Sequence, residues 1–155
     1  MRSARSWFEE YGVSHQNGFN KLVHWVCVPS IMFSILGLLW SLDVPSRIGS
    51  ISPFLNWSVL AAIPAIIFYF LLSKKLAAGM LVVTGLMLSL IYWIDTLQTP
   101  LWIISLGIFI IAWIGQFIGH LVEGRKPSFF KDLQFLLIGP IWLLSNLYAR
   151  LKIQY

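Results

Sequence analysis

Charge is what this sequence has least of. Of 155 residues, 11 are Lys or Arg and six are Asp or Glu, so 11% are charged against 58% hydrophobic. Soluble domains carry about 25% charged residues, and a core of this size does not bury so much apolar surface. A water-soluble domain is therefore excluded, and residues 1–155 are read as one all-α integral membrane domain. Cysteine is nearly absent too. Cys27 stands alone in an apolar run, which excludes a disulfide framework and any Cys-based zinc pattern; it reads as a small buried hydrophobe. The opening MRSARSWFEEYG lacks the apolar core and small-residue cleavage site of a secretory signal. No internal repeat, low-complexity segment or HExxH motif occurs. The net charge of +5 lies in short clusters between apolar runs, which favours membrane orientation over binding to nucleic acid.

What is present is four apolar runs, each near the ~20 residues a helix needs to cross a bilayer. They cover 22–42, 54–73, 76–94 and 101–121 and are predicted as transmembrane helices, the second kinked at Pro64. Ahead of them, residues 1–14 read as a short surface helix. Ser6 and Glu9 have capping-box spacing, Trp7, Phe8 and Tyr11 form its apolar face, and Gly12 stops it. Behind them, 133–148 is a fifth apolar segment broken by Gly139–Pro140. It reads as a kinked span or as a re-entrant or interfacial piece; Arg150 and Lys152 after it favour a piece that does not cross.

Four crossings put Arg2, Arg5, Lys21, Lys74, Lys75, Arg125, Lys126 and Lys131 on one face and only Arg47 on the other. The positive-inside rule then places the N-terminus in the cytosol, in a bacterial inner membrane or the endoplasmic reticulum. Trp40, Trp57, Trp93 and Trp102 fall at the opposite ends of the spans, as an anchoring interfacial belt.

Histidine is scarce, and its placement is the functional signal. His24 lies near the start of the first span and His120 near the end of the fourth, so an even number of crossings returns both to one face. Nine residues separate His15 from His24; at about 100° per residue they would face opposite ways on one helix. His15 therefore belongs to a loop or an earlier turn, with Gly12 and Gly18 as breaks and Asn17 or Asn20 capping the first span. Asn20 shares a face with His24. Gln116, His120 and Glu123 form one stripe, flanked by Gly115 and Gly119 at the GxxxG spacing that admits a close neighbour. Any single interfacial histidine is most simply a hydrogen-bonded surface residue, but three on one face point to a metal site. Imidazoles with a carboxylate nearby suit Zn, Fe or Mn; open positions and oxygen ligands suit non-haem Fe(II). Asn17, Asn20 and Gln116 are candidates to orient the rings. Glu123 is either a direct ligand or, the preferred role, a group that steers an imidazole or pairs with Arg125 or Lys126.

The block HQNGFNKLVHWVCVP resembles the H-x4-N-x3-H-x4-P signature of the membrane-bound 2-hydroxy fatty acid dioxygenases. QFIGHLVEGRKP is similar to their second signature, an FxGHxxxE-type run followed by a basic residue and proline. Both occur in the expected order, separated by apolar spans. The resemblance implies an Fe(II)-dependent reaction: a long-chain 2-hydroxy fatty acid and O2 give the acid one carbon shorter, as in the α-oxidation branch of phytosphingosine degradation. It maps the essential, metal-binding histidines onto His15, His24 and His120. One departure is that the family has an acidic residue shortly after the last Gly-Pro, where this chain reads GPIWLLSN, ending on Asn146.

A long acyl chain would lie between the spans with its carboxylate beside Arg125 and Lys126, a pair that also suits anionic headgroups. Two other classes compete. A small metal or proton transporter would need polar groups at several depths, and the middles of the spans carry no charge. A b-type haem protein would use His24 and His120 as axial ligands.

Overall fold

The structure, a computed structural model, describes residues 2–52, 54–124 and 135–155. Most of its helices begin where a short polar side chain caps them. Ser3 Oγ accepts from the Ser6 N–H and opens α1 (Ala4–Gly12). The expected Ser6–Glu9 box does not form: Ser6 is already inside the helix, and Glu9 pairs with Arg5 at 3.0 Å. Asn17 caps α2 (Gly18–Trp40) by accepting from the N–H groups of Phe19 and Asn20. After the single turn α3 (Ser46–Gly49), Asn56 caps α4 (Trp57–Leu72). Ser73, in extended conformation, ends α4 and caps α5 (Lys74–Asp95). Then come α6 (Leu101–Val122) and α7 (Ile138–Arg150), and no strand occurs among the described residues.

Helices α2, α5 and α6, of 23, 22 and 22 residues, are long and apolar enough to cross a membrane. The fourth apolar helix is shorter than its sequence run. Asn56 and Ser73 trim α4 to 16 residues, which continue through Pro64 and cover roughly 24 Å. Side chains are sorted by a lipid-facing logic. On α6, Ser105, Gln116 and His120 point inward, while Ile103, Ile111, Ile114, Ile118 and Leu121 are exposed. Such an outward apolar surface is consistent with helices that pack against lipid.

The α2–α6 pair is the tightest in the fold because glycine removes the side chains between the two backbones. A Cβ at Gly115 would lie 2.7 Å from Cys27 Sγ, and one at Gly119 2.5 Å from Asn20 Oδ1. Cys27 is half-buried in that seam. At the end of the bundle away from the histidines, Trp40 donates to Asp95 and Trp57 to the Asp43 carbonyl. Trp93 in the last turn of α5 and Trp102 in the first turn of α6 complete the expected group of four at this end.

Gly139 and Pro140 open α7 rather than breaking it. In the first turn of a helix the N–H that proline lacks has no intrahelical partner to lose. Leu136, just before α7, packs against Ile31, Ala112 and Trp113 in the middle of the bundle. Beyond the other end, Tyr148 OH donates to the Lys75 carbonyl and Lys75 to that of Gln154. The 13-residue helix thus runs from mid-bundle back to the histidine end; residues 133–134 of the predicted segment lie outside the described residues. Helix α1 spends its apolar face on this region: the Trp7 and Phe135 rings are 6.1 Å apart, those of Tyr11 and Trp142 5.2 Å.

Candidate metal centre

Three elements each contribute one histidine. His15 sits in the turn between α1 and α2, where its N–H bonds the Gly12 carbonyl. His24 lies on the second turn of α2, and His120 in the last turn of α6. These residues are 2%, 1% and 4% exposed, and one ring nitrogen from each lies within 4.8 Å of the others. Their tautomers follow from their partners. His15 Nδ1 is 2.6 Å from the Tyr11 carbonyl and His24 Nδ1 is 3.0 Å from that of Asn20. A carbonyl only accepts, so both protons are on Nδ1 and both Nε2 lone pairs turn inward. Those two Nε2 atoms are 2.8 Å apart. Facing lone pairs at that distance repel unless a cation or a proton lies between them. Two nitrogens bound at right angles to one ion at about 2.1 Å would be roughly 3 Å apart, close to the observed spacing. The donor set therefore fits a metal ion. Tyr11 stacks on His15 at 4.2 Å and closes one side.

Glu123 does not turn toward the rings. Its carboxylate accepts from the N–H groups of Gln16 at 2.7 Å and Asn17 at 2.9 Å, and from Asn20 Nδ2 at 3.0 Å. It thereby ties the end of α6 to the turn carrying His15 and to the N-terminus of α2, where a negative charge also meets the helix dipole. Desolvation pushes this carboxyl upward; the hydrogen bonds from Asn17, Asn20 and Gln16 outweigh it and hold the pKa below the usual range. Asn20 also donates to the Ser14 carbonyl, while Asn17 acts through its cap. Gln116 is buried one turn deeper than His120, beside a hollow of about 20 Å³, room for a single water. Its Oε1 has no hydrogen-bond partner among the described residues.

A family model described as "2-hydroxy-palmitic acid dioxygenase Mpo1-like" matches residues 1–151, a range that holds all three histidines. The chain belongs to the Mpo1-like family. It is also 34% identical over 153 residues to the 2-hydroxy-palmitic acid dioxygenase MPO1 of Saccharomyces cerevisiae, across 97% of this chain and 81% of that relative. No solved structure gives a significant match.

Within this Mpo1-like chain the ring positions argue against a haem. His15 lies 4.1 Å from the His24 ring and 5.4 Å from that of His120, in the space a porphyrin between axial His24 and His120 would need. Arg125 and Lys126, the expected substrate contacts, lie outside the described residues. What does border His15 is an open groove of about 780 Å³ between α2 and α7, walled by Lys21, Trp25, Trp142, Asn146 and Arg150. Sequence reasoning missed Tyr11 and this groove. Tyr11 stands four residues before His15, as Asn20 does before His24, and that repeated spacing was a usable signal. The approach of α7 to α2 had none.

Proposed function

We propose that this protein is a membrane-embedded, non-haem Fe(II) dioxygenase. It converts a long-chain 2-hydroxy fatty acid and O2 to the fatty acid one carbon shorter, with loss of the carboxyl carbon. The observation that carries the reading is the buried convergence of His15, His24 and His120 in a Mpo1-like chain. The three imidazoles would hold the metal, and oxygen chemistry selects a redox-active ion such as Fe(II) over Zn. Bound iron would supply reactivity toward O2 and an electrophilic centre for the 2-hydroxyl and carboxylate. The chain's own residues keep the site ready for it. The carbonyls of Tyr11 and Asn20 hold the ring protons outward, Glu123 fixes the turn bearing His15, and Tyr11 and Trp142 exclude bulk water around that ring. The test is direct: iron-loaded protein in vesicles, given 2-hydroxypalmitic acid and O2, should release pentadecanoic acid. Bound iron with the hydroxy acid left intact would refute the assignment.

In this reading α4 completes four crossings, Asn20 and Glu123 brace the site, and the histidines face the cytosol. The support is the basic residues gathered at the histidine end. A reporter fused after Lys75 should read as cytosolic and one at Ser50 as external; signals on the same side would remove a crossing.

A further inference from the structure

Two stripes of side chains lead from the groove into the bundle. On α2, Lys21, Trp25, Pro29 and Met32 recur at four- and three-residue spacing and share one face. On α7, Arg150, Leu147, Leu143 and Pro140 do the same. The groove lies between the outer ends of these stripes, Lys21 and Arg150. Past Trp25 follows an apolar cavity of about 140 Å³ between Pro29, Met32, Leu143 and Leu147. Met32 and Pro140 border both it and a second apolar cavity of about 190 Å³, which ends on Ala61, Ala62 and Ala65 of α4.

The charge along this track is one-sided. Among the described residues, no acidic one lines the groove, and neither Lys21 nor Arg150 is in an ion pair. The Arg150 guanidinium lies 5.6 Å over the Trp25 ring, which holds it at the entrance. His15 is in the same wall. A basic mouth beside a buried metal-type site, continuing into apolar space, matches one ligand chemistry: a carboxylate on a long acyl chain.

We infer that this track binds the acyl substrate. The carboxylate docks between Lys21 and Arg150 beside His15, the chain passes Trp25 and Met32, and the Ala61–Ala65 wall sets the accepted length. Which acid is bound rests on the dioxygenase reading; the track itself is tested without turnover. Metal-free full-length protein in nanodiscs of zwitterionic lipid is titrated with a 16-carbon fatty acid brominated on its chain, and with the matching brominated alcohol. Quenching of tryptophan emission reports binding. The acid should quench saturably, with a component missing in Trp25→Phe. Lys21→Gln and Arg150→Gln should each weaken acid binding by about tenfold, the scale of one charge-assisted hydrogen bond, and leave the alcohol unaffected. Ala62→Leu should weaken the 16-carbon acid while sparing a 10-carbon one.

Non-saturable quenching, equal losses for acid and alcohol, or an Ala62→Leu effect blind to length would overturn the track. So would charge variants that alter only affinity for anionic vesicles, since the basic pair would then be a headgroup contact. Charge-dependent binding without turnover of any 2-hydroxy acid by iron-loaded protein would sink the dioxygenase reading and leave the track standing. Turnover indifferent to Lys21→Gln, Arg150→Gln and Ala62→Leu would do the reverse.

Discussion

His24→Ala should abolish metal binding. Iron in anaerobically purified protein should fall to background, and turnover should drop by more than the roughly 100-fold range seen when only an outer-shell partner is lost. The reason is geometric. His24 is 1% exposed, its Nε2 faces that of His15 at 2.8 Å, and its proton is committed to the Asn20 carbonyl on the far side of the ring. Alanine supplies no donor, and no Cys, Asp or Glu joins the cluster among the described residues to take over. The helix itself should survive, because alanine is the best helix former and α2 is anchored by its Asn17 cap and the α6 seam. Unchanged circular dichroism and elution volume in detergent would separate loss of metal from loss of fold. His15→Ala and His120→Ala should behave alike. Chelation of wild-type protein should reproduce the phenotype, with Fe(II) restoring wild type and not the variants. Full iron occupancy in the triple variant would end the metal assignment.

Glu123→Ala should weaken iron binding by about 10–100-fold without abolishing it. The substitution leaves three N–H donors, from Gln16, Asn17 and Asn20, without their acceptor, and these hold the His15 turn and the start of α2 to α6. Glu123→Gln keeps the shape but replaces one accepting oxygen with an NH2 group that faces those same donors, so it should fall between wild type and alanine. Iron loss in Glu123→Gln as complete as in His120→Ala would instead make Glu123 a direct ligand. The pH dependence of this clasp has a definite sign. The carboxyl pKa lies below its ordinary 4.5, so the stabilisation is complete above that value and is lost as pH falls through the lowered one. Across neutral pH Glu123 stays ionised, and titrating it should not change iron affinity there.

Several features of the site are legible in the order of residues alone. Asn17 is one of two expected caps, because a short acceptor ahead of an apolar run satisfies the free N–H groups of a helix. Gly115 and Gly119 announce a close helix contact, since small residues at that spacing let two backbones approach, and the structure supplies α2 as the partner. Where two local candidates compete, the signal is weaker. Ser3 and Ser6 both suit a cap, and Ser3 takes the role once Glu9 pairs with Arg5. Gly139–Pro140 is a breaker inside a helix and a starter at its first turn; the pair looks the same in both settings.

By itself the sequence determined that this chain is built of long apolar helices and roughly where they run, and its even count of predicted spans gave a reason for His24 and His120 to meet at one end. Composition and hydrophobic run length are local properties, and the expected parity came from counting the runs. Only the tertiary structure decided how the helices are rotated against one another. That rotation puts Glu123 on the N–H groups of residues more than a hundred positions earlier, brings His120 within 4.8 Å of the His15 and His24 ring nitrogens, and lays α7 along α2 to make the groove. Such contacts depend on how side chains of distant segments interlock, and no window of the chain contains both partners.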